Sequence, residues 1–553
     1  MENREFNLLD ERWIRVRYPD CREEEVSLRQ VFAHAHGYAG LAGETSTQDM
    51  AMLRFLLAVL HSVFYRVDEK GNPAPVKSKM DAFDRWKNLW ELGRFPQYPI
   101  ENYLNQWRDR FWLFDEEHPF YQVPRLAPEM KNVKVKPIDK IIGEISEGEN
   151  KKRLFPSRTK KERQKLSYAE TARWLLFVNA YDDTALKSPK ADGDSGAKKE
   201  KKLSISPGWL GRLGLITAQG ATLFETLMLN FVLLDGNKKP WGEPQPVWEL
   251  DTPRCGERTK IPMPDDQASL LTLQSRRVFL ERQDGMVTGF GLLGGDILDT
   301  VNCTAEQMTI WKNTDNGLVP RKHSYSRHLW QDFASIAAKE TYSEKEKTKE
   351  TAPSPGIVIW HELLSKRKIL NIEFIRYRSV GMEYSSPQTS AIVNTFEDSL
   401  SFHLNLLTEL GEAWTNSITS AVRLCDEVAN QVGQLAKNLV LAAGGSDSDA
   451  DGDVQRAKEQ FYYRVDMPFR AWLQTLDASQ SDTVREERMK DWTEQALEIA
   501  GRLGQDLIAQ AGPAAYHGRT ITKNNKDTFF AAPEVYRWFK NALYKYKDKG
   551  DQQ

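Results

Sequence analysis

Residues 407–439, LTELGEAWTNSITSAVRLCDEVANQVGQLAKNL, place apolar side chains at steps of three and four: Leu407, Leu410, Trp414, Ile418, Ala421, Cys425, Val428, Val432, Leu435 and Leu439. That period puts one apolar stripe along a single helix, about 50 Å long at 1.5 Å per residue. The run GGSDSDADGD (444–453) ends it. Three more amphipathic stretches follow, at about 454–476, 483–511 and 525–546, with Trp492, Ala496, Ile499 and Leu503 marking the face of the second. Four amphipathic helices with short connections predict an antiparallel four-helix bundle.

Upstream of the bundle the pattern is mixed. FNLLDERWIRVRY (6–18) reads as a short strand and turn, and DMAMLRFLLAVLHSVFYR (49–66) as a strongly apolar helix with Asp49 as its N-cap. Helices are expected at about 81–92 and 100–110, then an aromatic, strand-like stretch at 111–123. SYAETARWLLFVNA (167–180) opens with Ser167 and Glu170 in capping-box spacing. A buried element is expected at 221–234, with short strands and loops to about 335. KETYSEKEKTKE (339–350) has four Lys, four Glu and almost nothing apolar, so it reads as a solvated linker or exposed helix.

A chain of 553 residues exceeds the usual single-domain range. Hydrophobic residues at 40% and charged residues at 28% suit a globular protein. The formal net charge of -2 gives no global attraction to nucleic acid, so any such binding must come from local patches. The N-terminus lacks the apolar core of a signal peptide and no run of about 18 apolar residues occurs. No membrane partner and a cytoplasmic location are therefore expected. Cys21, Cys255, Cys303 and Cys425 form no CxxC pair.

Several stretches bear on chemistry. KKRLFPSRTKKERQK (151–165) carries eight basic residues against one acid. Such fixed charge displaces counterions from phosphates, and Phe155 offers a ring for base stacking; a solvated loop is the other reading. Residues 187–202 hold six Lys against three acids, with Gly193 and Gly196 between them; alone they read as a flexible surface loop. Lys366, Arg367, Lys368, Arg376 and Arg378 form a third basic stretch, read as a strand or helix edge whose charged face is either a phosphate contact or plainly solvated. GFGLLG (289–294) matches GxGxxG without a convincing βαβ context and reads as a turn. DSDADG (447–452) copies the start of a calcium loop, but Lys458 stands where a bidentate Glu belongs, so it reads as a bundle loop. The pairs His34/His36 and His323/His328 lack a matching acidic or Cys cluster. With no GxSxG, Walker A or HExxH motif, no catalytic residue, metal site or cofactor is expected.

Six segments together resemble the CasA family, the large subunit of the type I-E CRISPR surveillance complex Cascade. They are FNLLDERWIRVR (6–17), EEHPFYQV (116–123), LFPSR (154–158) with LSYAETARWLLFVNAY (166–181), LFETLMLN (223–230), NGLVPRKHS (316–324) and FYYRVDMPF (461–469). The resemblance implies an α+β chain, with a large mixed α/β domain over 1–394 and the four-helix bundle over 395–553. It implies a non-catalytic protein that recognises the protospacer-adjacent motif in double-stranded target DNA, promotes duplex opening and R-loop formation, and helps recruit the Cas3 nuclease-helicase in antiviral defence. CRISPR RNA and the other Cascade subunits are the further partners it implies.

By the same resemblance, Arg153, Phe155, Ser157, Arg158, Lys160 and Lys161 form the loop that holds the RNA handle and its backbone proteins. Gln388 is the wedge beneath the motif, flanked by Pro387 and Thr389, where the family often has Asn and Ala. Lys187 and Gly208 correspond to the glycine-rich loop. The minor-groove Lys falls on Gln307 by strict alignment or on Lys312 with a gap; Lys312 is preferred. A metal-dependent nuclease and a purely structural scaffold are the rival readings of the same residues.

Overall fold

The computed structural model describes residues 4–143, 164–183, 207–337, 352–384, 392–523 and 526–550. They fall into two compact units. Met1–Tyr325, Glu340–Asn371 and Arg376–Ser399 make the first, and Ser326–Lys339, Ile372–Ile375 and Leu400–Gln553 the second.

The first unit is mixed. Helix α1 (Ser46–Phe64) is buried on nearly every side, as its continuous apolar sequence demands. It begins earlier than expected: the Thr45 hydroxyl accepts the Gln48 N–H, so Thr45 and not Asp49 is the N-cap. Asp49 sits in the first turn, where its carboxylate accepts the Gly43 N–H at 2.7 Å instead. The edge-to-face ring contacts of Phe55 with Phe120, Tyr121 and Trp248 build the core beside it. Helix α2 (Tyr168–Tyr181) starts at the capping box read from sequence. Ser167 Oγ accepts from Glu170 N at 3.2 Å, and Glu170 Oε2 accepts from Ser167 N at 3.0 Å.

The strands that matter for the site are β1 (Ile216–Gln219), β2 (Arg258–Ile261), β3 (Arg276–Gln283), β4 (Met286–Gly294), β5 (Asp296–Leu298), β6 (Trp311–Thr314), β7 (Gly317–Pro320), β8 (Phe374–Tyr384) and β9 (Ile392–His403). β3 and β4 form an antiparallel hairpin, and Asp284 and Gly285 between them both have positive φ. The expected turn at 289–294 is therefore strand: Phe290, Leu292 and Leu293 are buried in β4, and their burial outweighs the low strand propensity of the glycines. β5 runs parallel to β2, β6 pairs antiparallel with β7, and β9, β8 and β1 form a three-stranded sheet.

The second unit is helical. Helices α3 (Glu412–Ala442), α4 (Asp451–Leu473), α5 (Asp482–Ala509) and α6 (Ala532–Gly550) pack together, α3 touching each of the other three. Trp414, Ile418, Ala421, Cys425, Val428, Val432 and Leu435 are the buried stripe of α3. Leu407 and Leu410 precede that helix in short 3-10 turns, and Leu410 is 75% exposed. The expected helix at 525–546 begins only at Ala532. Strands β10 (Arg519–Lys523) and β11 (Lys526–Phe530) form a hairpin before it, because Thr520, Ile521, Thr528, Phe529 and Phe530 are β-branched or aromatic. Trp472 stacks on Trp492, and Phe469 meets both Trp492 and Trp330. Trp330 comes from the short helical stretch Leu329–Ala337, where strands and loops were expected. Its Nε1 donates to Asp466 at 2.9 Å.

Candidate nucleic-acid interface

The C-terminal end of α2 gathers the pieces that the sequence singles out. Gly208 donates its N–H to the Asp182 carbonyl at 2.9 Å, so the two ends bordering the Lys-rich segment are tied together. A Cβ on Gly208 would lie 2.5 Å from the Ala180 backbone, so only glycine permits this approach. Arg276 of β3 binds the Asp182 carboxylate and donates to the Asp183 carbonyl at 2.8 Å. Tyr384, the last residue of β8, donates its hydroxyl to the Tyr181 carbonyl at 2.7 Å. Gly211, in the turn Trp209–Arg212, packs directly beneath the Tyr384 ring, where a Cβ would overlap it.

From this turn the chain leads to the cationic hairpin. Gly214 N–H meets Thr309 Oγ1 at 3.0 Å, Ile310 N–H meets the Gly214 carbonyl at 2.9 Å, and Arg321 N–H meets the Ile310 carbonyl at 2.8 Å. The same strand continues as β1, which pairs with β8 from Arg376↔Gln219 to Ser379↔Ile216. His323 Nε2 bonds the Leu215 carbonyl at 2.8 Å, and its ring stands edge-on to Phe396 of β9. One hydrogen-bonded system thus joins the Gly208 turn, the β6–β7 hairpin and the two strands that lead into and out of 385–391.

Lys312 is exposed on β6, opposite Val319. Gln307, its rival by alignment, is 3% exposed and donates to the carbonyls of Thr304 and Ala305 at 3.0 and 3.1 Å. A side chain so used is part of the core, so of the two only Lys312 is available to a ligand. The hairpin root is fixed by a buried ion pair. Glu306 takes Arg54 in a fork at 2.9 and 3.0 Å, Trp209 Nε1 at 2.7 Å and the Met308 N–H at 3.0 Å.

Two cations beside the hairpin were not singled out from sequence. The Arg212 guanidinium lies 5.6 Å from the centre of the Trp209 ring and donates to the Leu298 carbonyl at 2.6 Å. Burial lowers its proton affinity, opposed by Asp299 and Cys303. Burial, and then the charge of Arg212, also lowers that of Lys322. Arg212 is partly buried and Lys322 exposed, and two like charges so near each other favour an anion. Lys322 lies within the quoted NGLVPRKHS segment, but nothing in its spacing signals Arg212 as a neighbour.

A polar cleft of about 790 Å³, lined in part by Arg17, Asp49, Arg378 and Glu397, lies beside β8 and β9. Arg378 pairs with Glu397 across the two strands at 2.7 Å. Burial pushes the Asp49 carboxyl up to about 6, against the Gly43 N–H and Arg378. The third basic stretch is divided. Lys366 pairs with Glu362 at 2.9 Å at the end of the helix Gly356–Lys366, and Arg367 lies over the Phe83 ring, while Arg376 and Arg378 are on β8.

Pro387, Gln388 and Thr389, Lys187, and Arg153, Phe155, Ser157, Arg158, Lys160 and Lys161 lie outside the described residues. Among the described residues no group of three or more His, Cys, Asp or Glu side chains could hold a metal ion. The four cysteines are free thiols, and burial pushes Cys303 up to about 12. No helix among the described residues is long and apolar enough to cross a membrane.

These features define a two-unit α+β protein that presents cations on loops and hairpins held by a packed body. The chain belongs to the Cse1 family of CRISPR-associated proteins, which matches residues 7–503. It is 30% identical over 343 residues to the CRISPR-associated protein CasA/Cse1 of Thermus thermophilus, a match spanning 61% of this chain and 61% of that relative. The crystal structure of Thermobifida fusca Cse1 is similar over 99% of this chain and 98% of its own, at 29% identity and a TM-score of 0.79. A chain of a structure described as a CRISPR RNA-guided surveillance complex shares the fold over 98% of this chain and 99% of its own, at 16% identity and a TM-score of 0.71.

Proposed function

We propose that this chain is the non-catalytic large subunit of a type I-E Cascade complex. In this role it recognises the protospacer-adjacent motif of double-stranded target DNA, promotes duplex opening and R-loop formation, and helps recruit the Cas3 nuclease-helicase. Family membership supports the place in a CRISPR assembly. The observation that carries the DNA-facing role is the convergence of the Gly208 turn, the Lys312 hairpin and the roots of 385–391 on one hydrogen-bonded system.

Each part has a physical task. Gln388, with Pro387 and Thr389 beside it, is inserted at the first base pair, where unpairing costs a few kcal/mol. Pro387 has no N–H and reads no base edge. Lys312 enters the minor groove, whose degenerate pattern tolerates several motifs. Lys187 contacts phosphate, and Gly208 anchors the end of its segment against α2. Arg153, Phe155, Ser157, Arg158, Lys160 and Lys161 precede α2 and hold the CRISPR RNA handle and neighbouring subunits. Residues 1–394 carry the nucleic-acid contacts, and the bundle, residues 395–553, supports the displaced strand and other Cascade subunits. The chain acts in the cytoplasm and takes no cofactor.

The test uses the assembled complex, with footprinting for binding and a fluorescent base analogue for opening. Gln388→Ala should lower opening more than binding; equal losses would remove Gln388 from the wedge role. Duplex binding without dependence on the flanking motif would favour a scaffold. Chelator-sensitive cleavage by the chain alone would favour a nuclease.

A further inference from the structure

Strand β5 begins with Asp296, and three guanidinium groups converge on its one carboxylate. Arg277 of β3 reaches Oδ1 at 2.5 Å with its side chain fully buried. Arg258, the first residue of β2, makes a fork, Nε to Oδ1 at 2.7 Å and Nη2 to Oδ2 at 2.9 Å. Arg254 comes third, with Nη1 3.6 Å from Oδ2, and has no other ion pair among the described residues. Arg277 also donates to the carbonyls of Gly256 and Gln274.

Burial alone would raise the Asp296 carboxyl, but the bonds from Arg258 and the charge of Arg277 hold it below the usual carboxylate range. Asp296 is therefore ionised and supplies one negative charge to three positive ones. Burial, and then the like charge of Arg258, lowers the proton affinity of Arg254. Two more acids lie nearby, Glu257 against Gly294 and Glu129 beside Cys255, and neither forms an ion pair with Arg254 or Arg258 among the described residues. Arg254 and Arg258 remain 39% and 40% exposed and line a cleft of about 570 Å³. Four acids also line that cleft: Glu249 and Glu243 face Arg66 at 2.8 and 3.6 Å, Asp266 accepts the Ser269 N–H at 2.8 Å, and Asp265 lies against Gly242.

We propose that Arg254 and Arg258 form an anion seat for the phosphate backbone of a nucleic-acid strand. This rests on the reading of the chain as a DNA-binding subunit, and it uses residues other than Gly208, Lys312 and Gln388. A guanidinium fork suits phosphate oxygens. A strand carries a charge about every 3.4 Å, enough to meet both surplus cations, whereas a single partner carboxylate meets one.

The assembled complex carrying the parent chain, Arg254→Ala or Arg254→Lys is titrated with target duplex at several salt concentrations, using matched and scrambled flanking motifs. Arg254→Ala should bind several-fold more weakly at low salt, with a log–log salt slope shallower by about 0.9 and unchanged motif discrimination. Arg254→Lys keeps the charge and should restore the slope. An unchanged slope in Arg254→Ala, or weaker binding caused by lost assembly with a protein partner, overturns the seat. Absent motif discrimination in the parent would instead sink the recognition role, while the slope still decides the seat.

Discussion

Arg54 and Arg254 are each bound to a buried carboxylate, yet the two sites differ in charge balance. Arg54 meets Glu306 one to one, with side chains 5% and 1% exposed, and the carboxylate's other bonds come from neutral donors. Asp296 faces three guanidinium groups, and two of them reach solvent. The first arrangement is electrically closed and can only position the hairpin root. The second is open and has capacity left for an anion. The matched pair holds structure, and the proposed seat rests on the unmatched cations around Asp296.

The largest effect should come from breaking the closed pair. Glu306→Ala leaves Arg54 buried and uncompensated and should cost about 3–5 kcal/mol in chemical denaturation. A loss below about 1 kcal/mol would show that the site is wetter than its burial implies.

Asp49 sharpens the contrast with the sign reversed, since Arg378 beside it is already paired with Glu397. Its folded pKa, about 6, lies above the ordinary 3.8. The folded state thus holds the proton more tightly, and stability from this group is greatest at low pH and falls as pH rises from about 4 to about 6. Asp49→Asn keeps the acceptor for Gly43 and should gain up to about 3 kcal/mol relative to the parent across that window. Equal pH profiles for parent and variant would show that Asp49 is not desolvated.

Ser167→Ala removes a local cap without touching either charge site and should cost about 1 kcal/mol. The smallest expected change is the stability of Arg254→Ala, within about 0.5 kcal/mol by thermal melting. A loss as large as that of Glu306→Ala would erase the distinction between the two sites.

The parts legible in sequence were those governed by local rules. The α3 stripe, the capping box at Ser167 and the apolar α1 all follow from period and capping chemistry over a few residues. The misread elements each had a rival that spacing cannot weigh. The glycines of 289–294 signal a turn until Phe290 and Leu292 are buried, and 526–530 continues a helical pattern until it pairs with Arg519–Lys523. For the candidate site, resemblance nominated Gly208, Lys312 and Gln388, but their relation was invisible. They are separated by long stretches of chain; the α2 terminus holds Gly208 and, through the Tyr384 hydroxyl, the root of the third, while the Gly214–Gln219 segment ties in the Lys312 hairpin by backbone hydrogen bonds.

The sequence by itself determined the helical C-terminal part, the mixed character of what precedes it, and the family, because period, caps and ordered motifs are properties of neighbours along the chain. Only the tertiary structure decided which charges are balanced. Arg54 and Glu306 are 252 residues apart, and Arg277 and Asp296 are 19. Whether a buried cation has a partner depends on what the fold brings within about 4 Å, and no local pattern encodes that distance.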